Sequence, residues 1–480
     1  PLSAAERDAG RLAFLQVQYV DIAPEVYLLP LQIAPAEEAK RMLSDSGHPP
    51  VARLLQPDGE YLLFDALYDP AFREALLEII SEKQRLNVGS GRVTGIASEA
   101  LVEDIGGGKI ALISRALKAE QSNSSIIYGD KYFLKLYRKL EEGENPDEEM
   151  IRHLSEKQKF ANVPAFRGAI EAGRIGSPPR VVALLVDLVP NVGDAWSYTL
   201  DSLGRYFERV LAQKPAASVE NDPAALDELI GGVYPERVRL LAQRTAEMHL
   251  ALAADTRDAD FAPEPYTGFS QRSLYQSMRS NTKRMTQLLR RKLDAIPEKY
   301  RQEAAEMIKL EGEILRRQAR VIQGRTRATK TRVHGDYHLG QVLNTGKDFV
   351  ITDFEGEPAR ALSERKMKRS PLRDVAGMLR SFHYAIHSAL SQQKALSEQD
   401  MEFLKPWGEV WAHWVNQVFL GTYLETTKGA SFIPESPEML AAMLDALLLE
   451  KATYEVAYEL NNRPDWVFIP LRGIRRILEK

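Results

Sequence analysis

The chain has 480 residues, 44% of them hydrophobic and 27% charged, an ordinary globular profile with room for two or three domains. Its net charge of −4 gives no global field for nucleic acid or an anionic membrane, and no apolar run of about 18 residues exists to span a bilayer. Cysteine is absent, which excludes disulfides and thiol chemistry and fits a reducing, cytoplasmic setting.

The N-terminus lacks the basic-then-apolar pattern of a signal peptide. It begins without Met in a polar, helix-like segment, as a piece of a longer polypeptide would. Residues 11–33 alternate apolar and polar around Ala23-Pro24-Glu25, as a hairpin does. Residues 52–55 and 61–64 flank the turn signal Gln56-Pro57-Asp58-Gly59, and 70–85 has helical spacing. Residues 1–90 therefore read as a small α+β cap, closed by a boundary at Gly89-Ser90-Gly91. Residues 91–190 read as a β-rich lobe. Its strands are expected over 110–118, 125–128 and 132–137, with Gly129-Asp130 as the tight turn between the last two. Pro146 starts a helix expected to run to about Phe160, and 181–189 is a continuous apolar strand. Residues 191–480 are almost wholly helical, with long helices over 271–323 broken near Ala295-Ile296-Pro297. No internal repeat or low-complexity tract interrupts this order.

Chemistry concentrates in His334-Gly335-Asp336-Tyr337-His338-Leu339-Gly340-Gln341 and the following Thr352-Asp353-Phe354-Glu355. Between them the pattern is strand, turn, strand, so a hairpin brings two carboxylates to one end. Phosphoryl transfer needs this set: a carboxylate to hold and deprotonate the acceptor hydroxyl, and oxygen ligands for Mg²⁺ beside the γ-phosphate of ATP. Asp336 fits the first role. Asp353, Gln341 and Glu355 fit the second. His334 and His338 lie four apart in a loop, so they do not converge as a helical metal pair; His334 reads as a brace of the loop.

The order of strand-rich lobe, apolar connector and helical lobe is that of kinases. The bilobal protein-kinase-like fold is the expected class, α+β with the N-terminal cap added. His-Gly-Asp in place of His-Arg-Asp resembles aminoglycoside and other small-molecule kinases. The longer His-Gly-Asp-x-His-Leu-Gly-Gln-Val, the run Asp353 to Pro358, and Ser370 to Phe382 resemble the bacterial maltokinases. That resemblance implies ATP-dependent phosphorylation of maltose at its anomeric hydroxyl, on a trehalose-to-glycogen route, often beside or fused to a trehalose synthase. It covers 331–382 and 447–470 best and the first 90 residues least, where the family's opening rich in Arg, Trp and Phe is not seen. The nearest alternative is another sugar kinase of this fold, such as a glucosamine kinase. A further one is a kinase-like partner of trehalose synthase.

By the kinase resemblance, Lys135 on its strand holds nucleotide phosphates and pairs with Glu149, with Glu148 the near competitor. Gln121-Ser122-Asn123-Ser124-Ser125 stands where a phosphate loop belongs, whereas Gly106-Gly107-Gly108-Lys109 comes before the first expected strand and reads as a turn. Backbone of Asp187-Leu188-Val189 is expected to meet adenine. Lys451, Tyr454 and Tyr458 recur at helical spacing. The maltokinase resemblance lines the sugar pocket with them, and His338 joins the acceptor side; an aromatic core stripe is the plainer reading of the tyrosines. Trp407, Trp411 and Trp414 share a helical face and read as core. Asp374 reads as a helix-start residue that holds the backbone of the catalytic loop. The Arg/Lys-rich helices over 279–332 also carry many Glu and read as solvated faces.

Overall fold

A computed structural model describes residues 10–20, 23–44, 47–88, 91–106, 112–117, 123–174, 176–216, 222–393 and 396–479. The chain divides into two compact units, Pro1–Pro190 and Asn191–Lys480.

The first unit holds two antiparallel sheets. β1 (Arg11–Val17), β2 (Glu25–Pro35), β3 (Ala52–Gln56) and β4 (Gly59–Asp65) form one in the order β1-β2-β4-β3. Both hairpins stand where the alternation and the Pro-Asp-Gly turn placed them. One face of this sheet buries Leu28, Leu62 and Phe64, and helix α1 (Ala36–Leu43) closes it with Ala39 and Leu43. Helix α2 (Pro70–Ser81) leads into β5 (Arg85–Val88), β6 (Gly91–Ala97), helix α3 (Glu99–Ile105), β7 (Ser114–Ala116), β8 (Asn123–Tyr128) and β9 (Tyr132–Tyr137). β10 (Lys139–Leu140) returns to pair with β2. Helix α4 (Pro146–Arg152), β11 (Phe166–Arg174) and β12 (Arg180–Asp187) complete the unit, and the second sheet runs β5-β6-β11-β12-β9-β8-β7.

Val181 to Val186 of β12 are all buried, which suits a central strand covered on both faces. Each such Val or Leu contributes roughly 1.5–3 kcal/mol by leaving water. α2 packs directly on the second sheet because glycine lets it. A Cβ at Gly95 would lie 1.7 Å from the Ile79 carbonyl oxygen, and one at Gly168 2.4 Å from Ile80 Cγ2. The buried Arg73 of α2 donates to the Leu67 carbonyl at 2.6 Å and to Ser114 at 2.9 Å, and its own carbonyl accepts from Tyr128 at 2.6 Å.

Several expected boundaries move. The β5–β6 hairpin pairs Val88 with Gly91 across the place where the cap was expected to end. The helix over 70–85 ends at Ser81, where Lys83 turns to φ +51 before β5. The strand over 110–118 is Ser114–Ala116 among the described residues. The helix from Pro146 stops as α-helix at Arg152 and continues as a wider π turn over His153–Lys157. The strand over 181–189 ends at Asp187. β6 and β11 have no counterpart among the expected elements. Gly91, Gly95, Gly168 and Gly173 read locally as breakers, although here they serve helix packing and cross-strand approach. Gly106 is the left-handed cap of α3, and the rest of its glycine run lies outside the described residues.

The second unit is helical: α5 (Ala195–Gln213), α6 (Pro223–Ile230), α7 (Val233–Ala254), α8 (Gly268–Lys292), α9 (Glu298–Lys309), α10 (Glu311–Ala319), α11 (Leu362–Arg365), α12 (Leu372–Gln392), α13 (Glu398–Thr426), α14 (Pro437–Asn462) and α15 (Phe468–Glu479). Short strands interrupt it: β13 (Glu264–Pro265) pairs with β14 (Thr329–Lys330), and β15 (Val342–Asn344) with β16 (Phe349–Ile351). The break between α8 and α9 falls at 293–297, beside Pro297. Trp407, Trp411 and Trp414 are buried, and Trp411 stacks on Tyr234 with centroids 5.7 Å apart, so this stripe is core. The β15–β16 hairpin is clamped to α7: Arg244 forks onto Asp348 at 2.9 and 2.8 Å, and the Arg237 guanidinium lies 4.2 Å over the Phe349 ring.

Candidate active site

The loop that carries His334, Gly335 and Asp336 hangs from one buried carboxylate. Asp374, in the first turn of α12, accepts the backbone N–H of His334 at 2.7 Å and of Gly335 at 2.9 Å. Its third partner is His249 of α7, whose Nε2–H donates at 3.0 Å while its Nδ1 accepts from the Tyr423 hydroxyl at 2.9 Å. Burial alone would push the Asp374 carboxyl up, but His249, His334 and the backbone N–H of Gly335 hold it below the usual range. His249 and Tyr423 were not found in the sequence; they lie 125 and 49 positions from Asp374, and no local pattern links them.

His334 ties this loop to the next one. Its Nε2–H donates to the Thr352 carbonyl at 2.9 Å, and its ring lies 4.8 Å from that of Phe354. The β15–β16 register then sets Gln341 beside Asp353, and the Gln341 amide donates to the Asp353 carboxylate at 2.7 Å. Asp353 is held at φ +66, a conformation non-glycine residues rarely adopt. Two carboxylates, Asp353 and Glu355, and one amide carbonyl in a loop make a hard-oxygen donor set, and this set suits Mg²⁺. Gln341 presents its NH₂ to Asp353 here, so its oxygen is the end left to face a cation.

On the other side of the loop, Lys451 Nζ of α14 donates to Asp336 Oδ1 at 3.1 Å. Burial pushes Asp336 upward, yet the Lys451 ammonium outweighs it and keeps the carboxyl below its ordinary range. Burial likewise opposes the charge on Lys451, and Asp336 restores it. The ammonium lies 5.5 Å over the Tyr454 ring, and the Tyr454 hydroxyl bonds Glu357. A narrow cleft lined by Asn281, Gly335, Asp336, Glu357, Lys451 and Tyr454 results. Tyr458, one turn on, is 46% exposed with the Arg463 guanidinium 5.6 Å over its ring, so the tyrosine face is not a core stripe. His338 Nδ1 accepts the Gly340 N–H at 3.1 Å, which leaves the proton on Nε2, and burial keeps the ring neutral.

In the first unit, Lys135 pairs with Asp147, a carboxylate of α4 that lies two positions before the expected Glu149. Its Nζ is 3.0 Å from Asp147, which also accepts from Tyr137 at 3.1 Å. Asn145 caps α4 and Pro146 opens it, so the first-turn residue Asp147 is the acid turned to β9. The competitor Glu148 is buried, which pushes its carboxyl up to about 7, and Arg152 stands 3.5 Å away. Asn123, Ser124 and Ser125 are buried residues of β8, not a loop: Ser125 faces Lys135 across the ladder and Ser124 accepts from Arg138 at 2.8 Å. Gln121 and Ser122 lie outside the described residues. In the connector, the Asp187 N–H donates to Ala165 at 3.0 Å and the Leu188 N–H to Lys131 at 2.8 Å. Arg167 forks onto the Asp187 carboxylate at 2.5 and 3.0 Å. Those two N–H groups are thus already used within the first unit.

A braced His-Gly-Asp loop, an acidic loop after a hairpin, and a strand Lys paired with a helix carboxylate define the kinase-like phosphotransferase fold, and the chain has it. Within that class it is similar to glucosamine kinases. One from Mycolicibacterium smegmatis (strain ATCC 700084 / mc(2)155) is 24% identical over 371 residues, 76% of this chain and 80% of that protein. Another from Streptacidiphilus jiangxiensis is 24% identical over 362 residues, 74% of this chain and 71% of that protein. A solved glucosamine kinase in complex with glucosamine, ADP and inorganic phosphate matches with a TM-score of 0.63 at 17% identity, over 99% of this chain and 96% of that one. No family model matches the chain.

Proposed function

We propose that this protein is an ATP-dependent sugar kinase whose acceptor is a neutral sugar, maltose, phosphorylated at the anomeric hydroxyl. The observation that carries the reading is the Lys451–Asp336 pair beside Tyr454. Asp336 accepts the acceptor's hydroxyl proton as the oxygen attacks the γ-phosphorus and the bond from that phosphorus to the bridging oxygen breaks, releasing ADP. Its depressed carboxyl keeps it ionised for that task, and Lys451 holds it in place. Lys451 and the Tyr454 and Tyr458 rings give donors and flat surfaces suited to sugar rings. Mg²⁺, held by Asp353 with Gln341 and Glu355, would neutralise phosphate charge. Lys135, fixed by Asp147, supplies a further positive charge to phosphate.

Glucosamine is the second reading, favoured by the similar proteins' names. Against it stands the half-buried Lys451 ammonium beside the base, which repels the ammonium of an amino sugar brought close to it. ADP release with ATP, Mg²⁺ and maltose, glucosamine or glucose decides between them. Turnover on glucosamine well above maltose overturns the maltose reading, and no turnover on any sugar overturns the kinase. Asp336→Asn should lower kcat roughly 10²–10⁴-fold with ATP affinity nearly intact. A change confined to the KM for ATP would place Asp336 on the nucleotide instead. The maltose reading also suggests a trehalose synthase as partner, which co-purification of the two proteins tests.

A further inference from the structure

The first unit contains a groove of about 820 Å³ that uses none of the residues discussed as site residues. Two sheet faces enclose it. In the β1–β2 ladder Gln16 stands opposite Val26 and Phe14 opposite Leu28, so Leu12, Phe14, Gln16 and Val26 share one face. In the second sheet Leu86 stands opposite Val93, and Val93 opposite Ala172, which makes the facing wall. Both walls are mainly apolar. Phe14 is 45% exposed, a large ring presented to an open cavity.

The rim is basic. Arg11, Arg92, Arg174 and Arg180 line the groove, and Glu142 is its one carboxylate. Arg180 pairs with that Glu142. In a chain of net charge −4, four guanidiniums against one carboxylate reverse the local field. The volume lies within the range of small-molecule sites, roughly 300–1,000 Å³.

We propose that this groove binds a small amphiphilic anion: an apolar body lies between the two sheet faces, and phosphate or carboxylate groups meet the arginines. Guanidinium forks match both anions in bidentate geometry. The apolar walls distinguish this ligand from a bare phosphate and from an extended acidic chain.

The test is a fluorescence titration of the full chain with 8-anilinonaphthalene-1-sulfonate, which has an apolar body and one anionic group. Saturable binding is expected. Arg92→Ala/Arg174→Ala should weaken it roughly tenfold or more, as should Phe14→Ala. Raising the salt should weaken it in the wild type, since the rim is solvent-facing. Naphthyl phosphate and laurate, used as competitors, separate an aryl phosphate from a fatty carboxylate; displacement by either supports the site. Far-UV circular dichroism and kinase turnover check that the variants are folded. Should the double variant fail to fold, Phe14→Ala and the salt series carry the test alone. Unchanged affinity in folded variants overturns the proposal. So does displacement by poly-glutamate with none by naphthyl phosphate or laurate, which would make the groove a protein-docking surface.

Discussion

Asp336 keeps its charge in a half-buried place because Lys451 stands 3.1 Å away. Removing that ammonium leaves burial as the dominant influence, and burial raises a carboxyl. Lys451→Met should therefore move the acid limb of the pH profile of kcat/KM to higher pH. The sign also fixes stability. A carboxyl depressed in the folded state stabilises above its unfolded range and loses that contribution as pH falls through its folded value. The variant should thus lose stability most near neutral pH, where the wild type has the full contribution. An unmoved acid limb would remove Asp336 from the role of base. Asp353→Asn should abolish most turnover and weaken Mg²⁺-dependent ATP binding while the fold survives; near-normal turnover at saturating Mg²⁺ would remove the metal role. At this scale the sequence showed residue types at meaningful spacing, and Asp336, Lys451 and Tyr454 do meet. It did not show that Asp147 reaches Lys135. That depends on where the helix starts and which way its first turn faces, and a shift of two residues rotates a side chain by more than half a turn.

Helix α12 is the element on which the catalytic loop is hung, and it approaches closely because Gly377 has no side chain. A Cβ there would stand 2.5 Å from the Tyr337 carbonyl oxygen, next to Asp336. That neighbour is backbone, so it cannot swing aside. Gly377→Ala should push the loop away, at a stability cost of about 1–3 kcal/mol. Displacing a catalytic group by about 1 Å can cost 10²-fold in rate. We expect kcat to fall strongly, the KM for ATP to change little, and the melting temperature to drop modestly. Wild-type kcat in this variant would show that the loop tolerates the shift. The hairpin, α12 and α14 were legible because their periodicity and turn residues agree. The β6–β11 core of the second sheet was not. Its glycines meet α2 and neighbouring strands, contacts that local pattern cannot display. The serines of β8 read locally as loop residues for a related reason: small polar residues suit a turn, and here they are buried in a strand, with Arg138 bonding Ser124.

Across the whole chain, the two compact units divide the labour in a way that thermal unfolding can read. The residues proposed to hold the sugar, Asp336, Lys451, Tyr454 and Tyr458, all belong to Asn191–Lys480. A ligand that binds only the folded state stabilises it by mass action, about 2.7 kcal/mol at one hundred times its Kd. For a unit of this size that is a rise of a few degrees in melting temperature. If the units melt in separate transitions, sugar should shift the one belonging to Asn191–Lys480 and leave the other in place. Maltose should produce the shift and glucosamine should not, because the Lys451 ammonium repels a second cation. The shift with maltose should shrink in Tyr454→Ala, where ring contact and a hydrogen bond together are worth roughly 2–4 kcal/mol. That loss is 30-fold or more in affinity, at about 1.4 kcal/mol per tenfold. Tyr458, 46% exposed, has less apolar contact to lose on folding, so Tyr458→Ala tests sugar binding without a stability penalty of its own. A shift of equal size with glucosamine would assign the cleft to an amino sugar and make Glu357, bonded to Tyr454, the group to examine as its ammonium partner.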